Sequence, residues 1–418
     1  MPSKGCGKNH SLIVFDVEGV VLPKRRYLLL EASKRLGIHE IFLIITLGFL
    51  YEVGVVSLEF ALRRIYKLFK GVVLDESFQT FREIPIIPGA LEVFQTLRRR
   101  GYRMALLSSG LPTLFVEDLA KRLGAEYAFG LGIEIVDGRL TGEIFGDIIK
   151  PSGKAIILKN LLNDQGLSHD GCVVVADDRN NLSILPLCDK SIGYNADFIF
   201  TIKCDYVVKG SLQEILPYID PDLRKEQFTI SSHVEPFRET IHIGSFLIPI
   251  VCKYLKVDAH LLGILILLVT VVYVASEFVR LRGIKFPLFS TITSKAVIGE
   301  ENWSFATSPV FFALGIVLSL LIFPIPIGYA SIAVLTLGDG SATIFGKKFG
   351  RTVLPFNKSK RLEGTLLGFF SAFLGTLIFV DPVKGFIAAA VGMLVECVPS
   401  PINDNISIPI LSGLVIML

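Results

Sequence analysis

The sequence predicts a chain of two unlike parts, an α/β Rossmann-like domain with a helical cap followed by an all-α polytopic membrane domain. Three observations predict this division. The 418 residues are 51% hydrophobic, with a mean hydropathy of +0.58, but these values average over different halves. Residues 1–235 mix charge with alternating apolar and polar segments, whereas from about Thr240 apolar runs follow one another with short polar breaks. A polar, proline-bounded linker at 220–236 separates the domains predicted at 10–219 and 237–418, so we expect them to fold separately.

The first predicted element is a strand that ends in acidic residues. The segment SLIVFDVEGVVLP is apolar up to Asp16 and Glu18, after which a turn is expected. Alternate residues of a strand share one face, so the two carboxylates lie side by side at its carboxyl end. Mg²⁺-dependent phosphoryl transfer to aspartate requires such a pair, because one carboxylate attacks and the other handles the proton.

Three later segments supply residues that suit the same chemistry. YRMALLSSG is a predicted strand that ends at Ser108, where a hydroxyl can bind phosphate oxygens. DIIKPSGKAIILKNLL supplies Lys150 and Lys154 at the start of a helix, and CVVVADDRNN is a strand that ends at Asp177 and Asp178. This order of strand, serine, lysine and acidic strand end resembles the haloacid dehalogenase superfamily of phosphatases, and most closely its phosphoserine phosphatase branch.

The resemblance covers roughly residues 10–219 and implies a role for each matching residue. It implies that Asp16 is the nucleophile and Glu18 the general acid/base. It also implies that Ser108 binds phosphate and that Lys154 neutralises charge. Asp177 is implied as a Mg²⁺ ligand that acts together with Asp16. Two departures stand out: Glu18 replaces the usual Asp, and Asn181 replaces a usual second acid. An amide keeps the hydrogen bond but loses the charge, which lowers metal affinity. The alternative is therefore a non-catalytic regulatory or docking module.

A helical insertion at about 25–84 corresponds to the cap that covers the active site in this superfamily. Its stretch Ile41–Val56 is strongly apolar but too short to span a bilayer. Two interpretations remain open, a buried cap helix or an apolar face suited to a lipid phosphate. Arg63 and Arg64 fall where the related phosphatases place a substrate-binding arginine, and a solvated helix face is the alternative.

The second half contains about seven predicted membrane spans, each bounded by charge, proline or glycine. They lie at 240–256, 259–279, 308–323, 326–338, 365–381, 383–398 and 404–418. Basic residues concentrate in two of the connecting loops, which are therefore expected to be cytoplasmic: Arg280, Arg282, Lys285, Lys295, Lys347, Lys348, Arg351, Lys358, Lys360 and Arg361. The expected location is the cell membrane, multi-pass, with the N-terminal domain cytoplasmic, since MPSKGCGKNH is not a signal peptide.

Cysteine spacing and net charge narrow the range of functions. The six cysteines form no CxxC pair, which favours a reducing compartment. The net charge of +3 is small, and no nucleic-acid partner is expected.

The strip LGDGSATIFGKKFGRTVLPFNKSKRLEGTLLG, at Leu337–Gly368, places acids, bases and glycines between apolar runs. An Asp near hydrocarbon costs a few kcal/mol unless compensated, so Asp339 needs a metal or phosphate partner; the alternative is a cytosolic loop with solvated charges. Gly338 and Gly340 would let backbone amides approach phosphates, and Mg²⁺ could be held by Asp339, Glu363 and Asp404. A triphosphate would be neutralised by Lys347, Lys348 and Lys360. Glu396, in a span, also needs a partner, and Asn405 could read the base or align Asp404.

Three motifs, GDGSATIFGKKFGR, KRLEGT and VECVPSPINDNISIP, resemble the dolichol kinase and phytol kinase family of integral membrane CTP-dependent lipid kinases. The resemblance covers about 238–418 and includes Arg238 and His242 in FRETIHIG, and Glu277 and Arg280 in SEFVR. Arg361 replaces the family's hydroxyl residue. The resemblance implies Asp339 and Glu363 as catalytic residues, Asp339 as a metal ligand, and nucleotide contacts from Gly338, Gly340, Lys347, Lys348, Lys360, Gly364, Asp404 and Asn405.

These resemblances predict a cytosolic phosphatase fused to a membrane kinase that transfers the γ-phosphate of CTP to a lipid alcohol. The acceptor is a polyprenol such as dolichol, a prenyl alcohol or a diradylglycerol, the cofactor is Mg²⁺, and the oligomeric state is open. The alternative is a cytidylyltransferase that uses CTP to make a CDP-activated lipid. Release of CDP or of pyrophosphate separates the two.

Overall fold

The computed structural model describes residues 12–24, 36, 38–52, 54–225, 234–281, 307–400 and 402–418. The chain divides into two compact units, Met1–Phe228 and Thr229–Leu418. The division falls inside the linker predicted at 220–236, of which residues 226–233 lie outside the described residues.

A sheet forms the centre of the N-terminal unit. Its strands are β1 (Leu12–Asp16), β2 (Arg103–Pro112), β3 (Tyr127–Val136), β4 (Arg139–Phe145), β5 (Val173–Ala176), β6 (Lys190–Tyr194) and β7 (Tyr206–Val208). Their order is β4-β3-β2-β1-β5-β6-β7. Neighbours are parallel except for the β3–β4 hairpin. This confirms the predicted α/β fold and brings the carboxyl ends of β1, β2 and β5 to one edge.

The central strand β1 is buried on both faces, which explains its uninterrupted apolar sequence. Ile13 and Phe15 belong to one apolar cluster, whereas Leu12 and Val14 belong to another. This alternation is the two-residue period of a strand. Packing on both faces therefore holds the end of β1, and with it Asp16, in one position.

Helices follow and separate the strands. In the N-terminal unit they are α1 (Ile38–Glu52), α2 (Leu58–Lys67), α3 (Leu74–Arg82), α4 (Ala90–Arg99), α5 (Thr113–Leu123), α6 (Gly153–Asp164), α7 (Phe198–Lys203) and α8 (Leu216–Ile219). Short 3-10 helices lie at Asp147–Ile149, Arg179–Leu187, Leu212–Ile215 and Pro221–Lys225.

The first three helices, α1 to α3, occupy the predicted cap, of which residues 25–35 lie outside the described residues. The apolar stretch predicted over Ile41–Val56 is helical only to Glu52. Ile44 and Leu47 are buried in the core, whereas Leu43 is 41% exposed.

The described part of the C-terminal unit is helical. Its helices are α9 (Val234–Gly244), α10 (Leu247–Leu255), α11 (Ala259–Leu281), α12 (Ser308–Ile322), α13 (Ile325–Ala333), α14 (Gly340–Phe349), α15 (Leu362–Thr376), α16 (Pro382–Cys397) and α17 (Asp404–Met417). By length and composition, Ala259–Glu277 and Ile325–Phe349 can each cross a membrane. Shorter apolar helices lie at Ser308–Ile322, Leu362–Thr376 and Asp404–Met417. Of the predicted loop cations, Arg282, Lys285 and Lys295 lie outside the described residues.

The glycines of the polar strip lie within a helix, which corrects the expected loop. A π-helical segment, Val334–Asp339, joins α13 to α14 without a break. A Cβ added at Gly338 would lie 3.0 Å from Met393 Sδ, and one at Gly340 would lie 2.9 Å from Ile243 Cγ1. Small residues allow helices to approach closely in this way. Both glycines therefore serve helix packing, and their contact with a nucleotide stays a prediction.

Gly364 has the same packing role between α14 and α15. A Cβ there would lie 2.5 Å from the Ala342 carbonyl oxygen and 2.7 Å from Gly346 Cα. The KRLEGT motif thus contains a helix-crossing point, and the predicted nucleotide contact of Gly364 stays a prediction.

Candidate functional site

Three carboxylates meet at the centre of the sheet edge in the N-terminal unit. Asp16 ends β1, and Asp177 and Asp178 directly follow β5, which pairs with β1. One oxygen from each of the three lies within 4.8 Å of the others. Carboxylate oxygens are the ligands that Mg²⁺ prefers, so the three can hold such an ion.

Asp16 is buried and held by three donors. Lys154 Nζ lies 2.8 Å from its Oδ2, and Asn181 Nδ2 donates to the same oxygen. The Val17 backbone N–H donates to Oδ1 at 2.8 Å. Burial raises the pKa of Asp16, and the Lys154 ammonium opposes that rise. The carboxylate is therefore fixed in orientation beside a buried cation.

Asn181 links the lysine to the carboxylates. Its Oδ1 accepts from Lys154 Nζ at 2.8 Å, and its Nδ2 also donates to Asp178 Oδ1 at 3.0 Å. Asp178 supplies a third carboxylate to a site where Asn181 offers none. We did not predict Asp178 as a ligand, although the acidic pair at the end of CVVVADD was the signal for it.

Asp177 has one oxygen paired and one without a partner. Lys24 Nζ lies 2.7 Å from its Oδ2 and 3.7 Å from Asp178 Oδ2. Asp177 Oδ1 is buried and has no hydrogen-bond partner among the described residues. Burial raises the pKa of Asp177 well above its usual value. An orphaned buried oxygen costs free energy, which a bound cation would remove. Sequence reasoning missed Lys24.

The turn after β1 requires glycine at position 19. Its φ is +88°, and a Cβ there would lie 2.2 Å from Asp177 Oδ2. The left-handed conformation and the close approach both exclude a side chain. Gly19 therefore brings the backbone of this turn directly against the Asp177 carboxylate.

Ser108 and Glu18 lie on either side of another close backbone approach. Ser108 is 1% exposed, and its Oγ accepts from the N–H groups of Gly110 (3.3 Å) and Leu111 (3.0 Å). A Cβ on Gly110 would lie 2.2 Å from Glu18 Oε2. The strand predicted to end at Ser108 continues to Pro112, and the structure brings Glu18 close to this last part of β2.

The cap helices contact the site through two tyrosines. Tyr66, in α2, donates from its hydroxyl to the Gly110 carbonyl at 2.7 Å. The Arg179 guanidinium lies over the Tyr51 ring, 4.8 Å from its centroid. Burial, and then the charge of Asp178, raise the pKa of Tyr51 to about 12. The phenol therefore stays neutral at physiological pH.

The two cap arginines have different surroundings. Arg63 donates to the Ile144 carbonyl and to Glu59, each at 2.9 Å. Arg64 is exposed and lies 5.7 Å from the centroid of the Phe60 ring. Arg63 thus ties the cap to β4, and a substrate contact by either arginine stays a prediction.

A second group of charged side chains lies in the C-terminal unit. Asp339 reaches Lys360 Nζ and His242 Nδ1, each at 3.8 Å. Lys360 forms an ion pair with Glu396, which is 1% exposed. Thr365 Oγ1 donates to Glu396 at 3.3 Å. The structure therefore gives Glu396 the partner that a buried acid needs.

Lys360 lies in the connection before α15 and is the cation that pairs with both Asp339 and Glu396. Burial lowers the pKa of Lys360, but the charges of Glu396, Asp339 and Asp404 outweigh it and raise that pKa above its usual value. Its ammonium therefore stays charged.

Glu363 lies in the first turn of α15 and has a structural task. Its carboxylate accepts from the backbone N–H groups of Arg351 and Thr352, both at 3.0 Å, and from the Thr352 hydroxyl at 2.8 Å. Its own backbone N–H and these donors lower the pKa of Glu363. The side chain thus closes the preceding loop. Its predicted role as a Mg²⁺ ligand stays a prediction.

The remaining predicted nucleotide contacts lie on α14 and α17. Lys347 and Lys348 are exposed on the last turn of α14. Asp404 and Asn405 begin α17, and Asn405 Oδ1 is buried without a hydrogen-bond partner among the described residues.

Comparison with known proteins bears on the N-terminal unit first. Residues 13–185 match the model of the haloacid dehalogenase-like hydrolases. A phosphoserine phosphatase of Methanocaldococcus jannaschii is 29% identical over 213 residues, which are 51% of this chain and 99% of that protein. A phosphoserine phosphatase of Idiomarina loihiensis is 32% identical over 148 residues, 35% of this chain and 67% of that protein.

A kinase is also among the relatives. The "Probable phytol kinase 2, chloroplastic" of Glycine max is 32% identical over 138 residues, 28% of this chain and 47% of that protein. This chain thus spans about half of that relative.

Proposed function

The chain belongs to the haloacid dehalogenase-like hydrolase family through its N-terminal unit, and we propose that this unit is a Mg²⁺-dependent phosphomonoesterase with Asp16 as nucleophile. One observation carries the proposal. Asp16, Asp177 and Asp178 converge within 4.8 Å, beside a buried lysine and with one carboxylate oxygen unpartnered.

The residues at this edge suit two successive displacements at phosphorus. The Asp16 carboxylate, oriented by Lys154 and Asn181, attacks the phosphate monoester, while Glu18 gives a proton to the leaving alcohol. Glu18 then takes a proton from the water that hydrolyses the phospho-aspartate. Ser108 would bind a phosphate oxygen of the substrate. Mg²⁺ bound by Asp16, Asp177 and Asp178 would neutralise charge on the transferred group.

Hydrolysis by the N-terminal unit is the direct test. Residues 1–225, in Mg²⁺, should hydrolyse a generic phosphate monoester, and Asp16→Asn should abolish turnover because an amide cannot replace the nucleophile. A folded wild-type unit that hydrolyses none of a broad panel would instead support a regulatory module.

For the C-terminal unit we propose a membrane-embedded kinase that phosphorylates a lipid alcohol with CTP, the N-terminal unit being cytoplasmic. Three observations support it: the likeness to a phytol kinase, the three motifs, and the pairing of Asp339 and Glu396 around Lys360. Phosphoryl transfer needs mainly positioning and charge stabilisation, which such a group can provide. A cytidylyltransferase that makes a CDP-activated lipid is the alternative, because the same charges could bind CTP.

Product analysis separates these activities. Purified full-length protein is incubated with labelled CTP and a panel of polyprenols, prenyl alcohols and diradylglycerols. A kinase releases CDP and a lipid phosphate, whereas a cytidylyltransferase releases pyrophosphate. Asp339→Asn should lower the rate by several orders of magnitude. Activity within about tenfold of wild type, about 1.4 kcal/mol, would contradict a metal-binding role for Asp339.

A further inference from the structure

Glu239, in α9, is a buried acid with an unsatisfied oxygen. It is 4% exposed. Its Oε1 accepts from Arg238 at 3.0 and 3.2 Å. Its Oε2 is buried and has no hydrogen-bond partner among the described residues. Leaving such an oxygen unmatched costs free energy, more so when the group is charged.

Asp339 faces the same region from the helix that carries the polar strip. Helix α9 packs against α14, since a Cβ on Gly340 would lie 2.9 Å from Ile243 Cγ1 and 3.7 Å from His242 Cβ. Glu239 lies one helical turn before His242 on α9, and His242 Nδ1 is 3.8 Å from Asp339 Oδ2. Like charges on the two side chains would repel each other in this largely buried place, and a bound cation would relieve the repulsion further than Arg238 and Lys360 already do.

Two side chains approach Asp339 without donating a hydrogen bond to it. His242 Nδ1 and Lys360 Nζ are each 3.8 Å from Asp339, beyond hydrogen-bond distance. His242 is 9% exposed, and its Nδ1 is a second buried atom without a hydrogen-bond partner among the described residues. Lys360 is engaged by Glu396. Two buried atoms without a hydrogen-bond partner among the described residues, Glu239 Oε2 and His242 Nδ1, therefore belong to side chains one turn apart on the helix that packs against α14.

We propose that Glu239 and Asp339 together hold one divalent cation, the Mg²⁺ that accompanies the donor nucleotide, and this proposal rests on the kinase function proposed above. Mg²⁺ is usually bound by one or two carboxylates together with waters and substrate phosphates, and two carboxylates from separate helices meet that need. His242 would hydrogen-bond a water of the ion or the nucleotide.

Two competing carboxylates are already occupied. Glu363 accepts from Arg351 and Thr352, and Glu396 from Lys360 and Thr365. Glu239 therefore replaces Glu363 as the proposed partner of Asp339. Its place on α9 also makes that helix part of the kinase site.

Manganese binding tests the site without relying on activity. Full-length protein in detergent is titrated with Mn²⁺, and free Mn²⁺ is followed by electron paramagnetic resonance. Wild type should bind two ions, one at Asp16, Asp177 and Asp178 and one at Glu239 and Asp339. Glu239→Gln should bind one, and so should Asp339→Asn.

Two further variants control for folding. Glu277→Gln removes a carboxylate equally buried in the same unit but paired with Arg280 at 3.0 and 2.7 Å, so it should keep both ions. Glu239→Asp keeps the charge and should retain the second ion with reduced affinity. If Glu239→Gln binds as many ions as wild type, with wild-type affinity, the proposal is overturned.

The labelled-CTP assay distinguishes this proposal from the kinase function itself. Loss of one ion in Glu239→Gln, together with a rate at least about 100-fold below wild type, supports both. If wild type makes a lipid phosphate and Glu239→Gln keeps both ions, the cation site is rejected and the kinase function is supported. If Glu239→Gln loses an ion but wild type makes no product from CTP, the kinase function is rejected. The role proposed for the ion beside the nucleotide is then rejected too, and only the binding of a divalent cation at Glu239 and Asp339 is supported.

Discussion

Replacing Lys154 by Met should strongly destabilise the N-terminal unit. Lys154 Nζ lies 2.8 Å from Asp16 Oδ2, with side-chain exposures of only 2% and 8%. Solvent therefore screens this pair little, and removing one partner of a buried pair costs about 3–5 kcal/mol. At a urea slope of about 2 kcal/mol per M, the unfolding midpoint should fall by roughly 2 M. Met keeps the length of the apolar stem, so the lost charge dominates.

Lys150→Met is the matched control because its ion pair has the same length. Lys150 Nζ also lies 2.8 Å from a carboxylate, Asp147 Oδ1, but both side chains are 56% exposed. Exposed pairs contribute little, so no measurable change is expected. Urea unfolding of residues 1–228, followed by far-ultraviolet circular dichroism in EDTA, compares the two variants. Equal midpoints for both would refute the reasoning from burial.

The pH dependence gives a second check on the same variant. Burial already raises the pKa of Asp16, and removing Lys154 should raise that pKa further. Below the unfolded pKa of about 3.9, Asp16 is protonated in both states and the charge penalty is absent. The penalty grows as pH rises through the folded pKa. Lys154→Met should therefore lose less stability at pH 5 than at pH 8, and a loss independent of pH would contradict an unpaired charge as its cause.

Three further predictions concern the acidic site, each measured on residues 1–228 with and without Mg²⁺. Gly19→Ala puts a Cβ 2.2 Å from Asp177 Oδ2 and should abolish the rise in melting temperature caused by Mg²⁺. Gly138→Ala is the control, because Gly138 also has a positive φ but no atom lies within 4 Å of the added Cβ, and this variant should keep the rise. The Lys24 ammonium, 2.7 Å from Asp177, competes with Mg²⁺ for this carboxylate. Lys24→Met should therefore bind Mg²⁺ roughly tenfold more tightly, as measured by calorimetry. Weaker binding would refute competition between the two cations. Asn181→Asp should be less stable than wild type in EDTA and gain more from Mg²⁺, because it replaces the amide that donates to Asp16 and Asp178 with an oxygen that both carboxylates repel; an unchanged gain would contradict this.

Local sequence patterns were sufficient for much of the phosphatase site. Asp16, Ser108 and Asp177 each lie at or near the end of a buried strand, and parallel strands bring such ends together. Lys154 starts a helix whose position follows from the same α/β alternation. The role of Lys24 was not predictable in this way, because its pairing with Asp177 joins residues 153 apart in the chain.

The C-terminal half shows where the pattern of a single sequence leaves more than one role open. Glycines at 338 and 340 suggested a phosphate-binding loop, but the same residues also suit close helix packing, and a single sequence does not distinguish the two uses. Glu363 belongs to a motif whose acid suggested a metal ligand, yet its oxygens close a loop. Nothing in the sequence marked Glu239 as a candidate ligand, because an Arg-Glu pair at the start of a helix is usually solvated.

The sequence by itself determined the two-part organisation, the α/β fold of the first part and most of the residues at its acidic edge. These follow from apolar periodicity and from polar residues at strand ends, which are properties of neighbouring residues. Only the tertiary structure decided which charges meet: Asp178 and Lys24 at the sheet edge, and His242 beside Asp339. Such meetings depend on how distant helices and strands pack, and burial then determines which carboxylates stay satisfied and which require a cation.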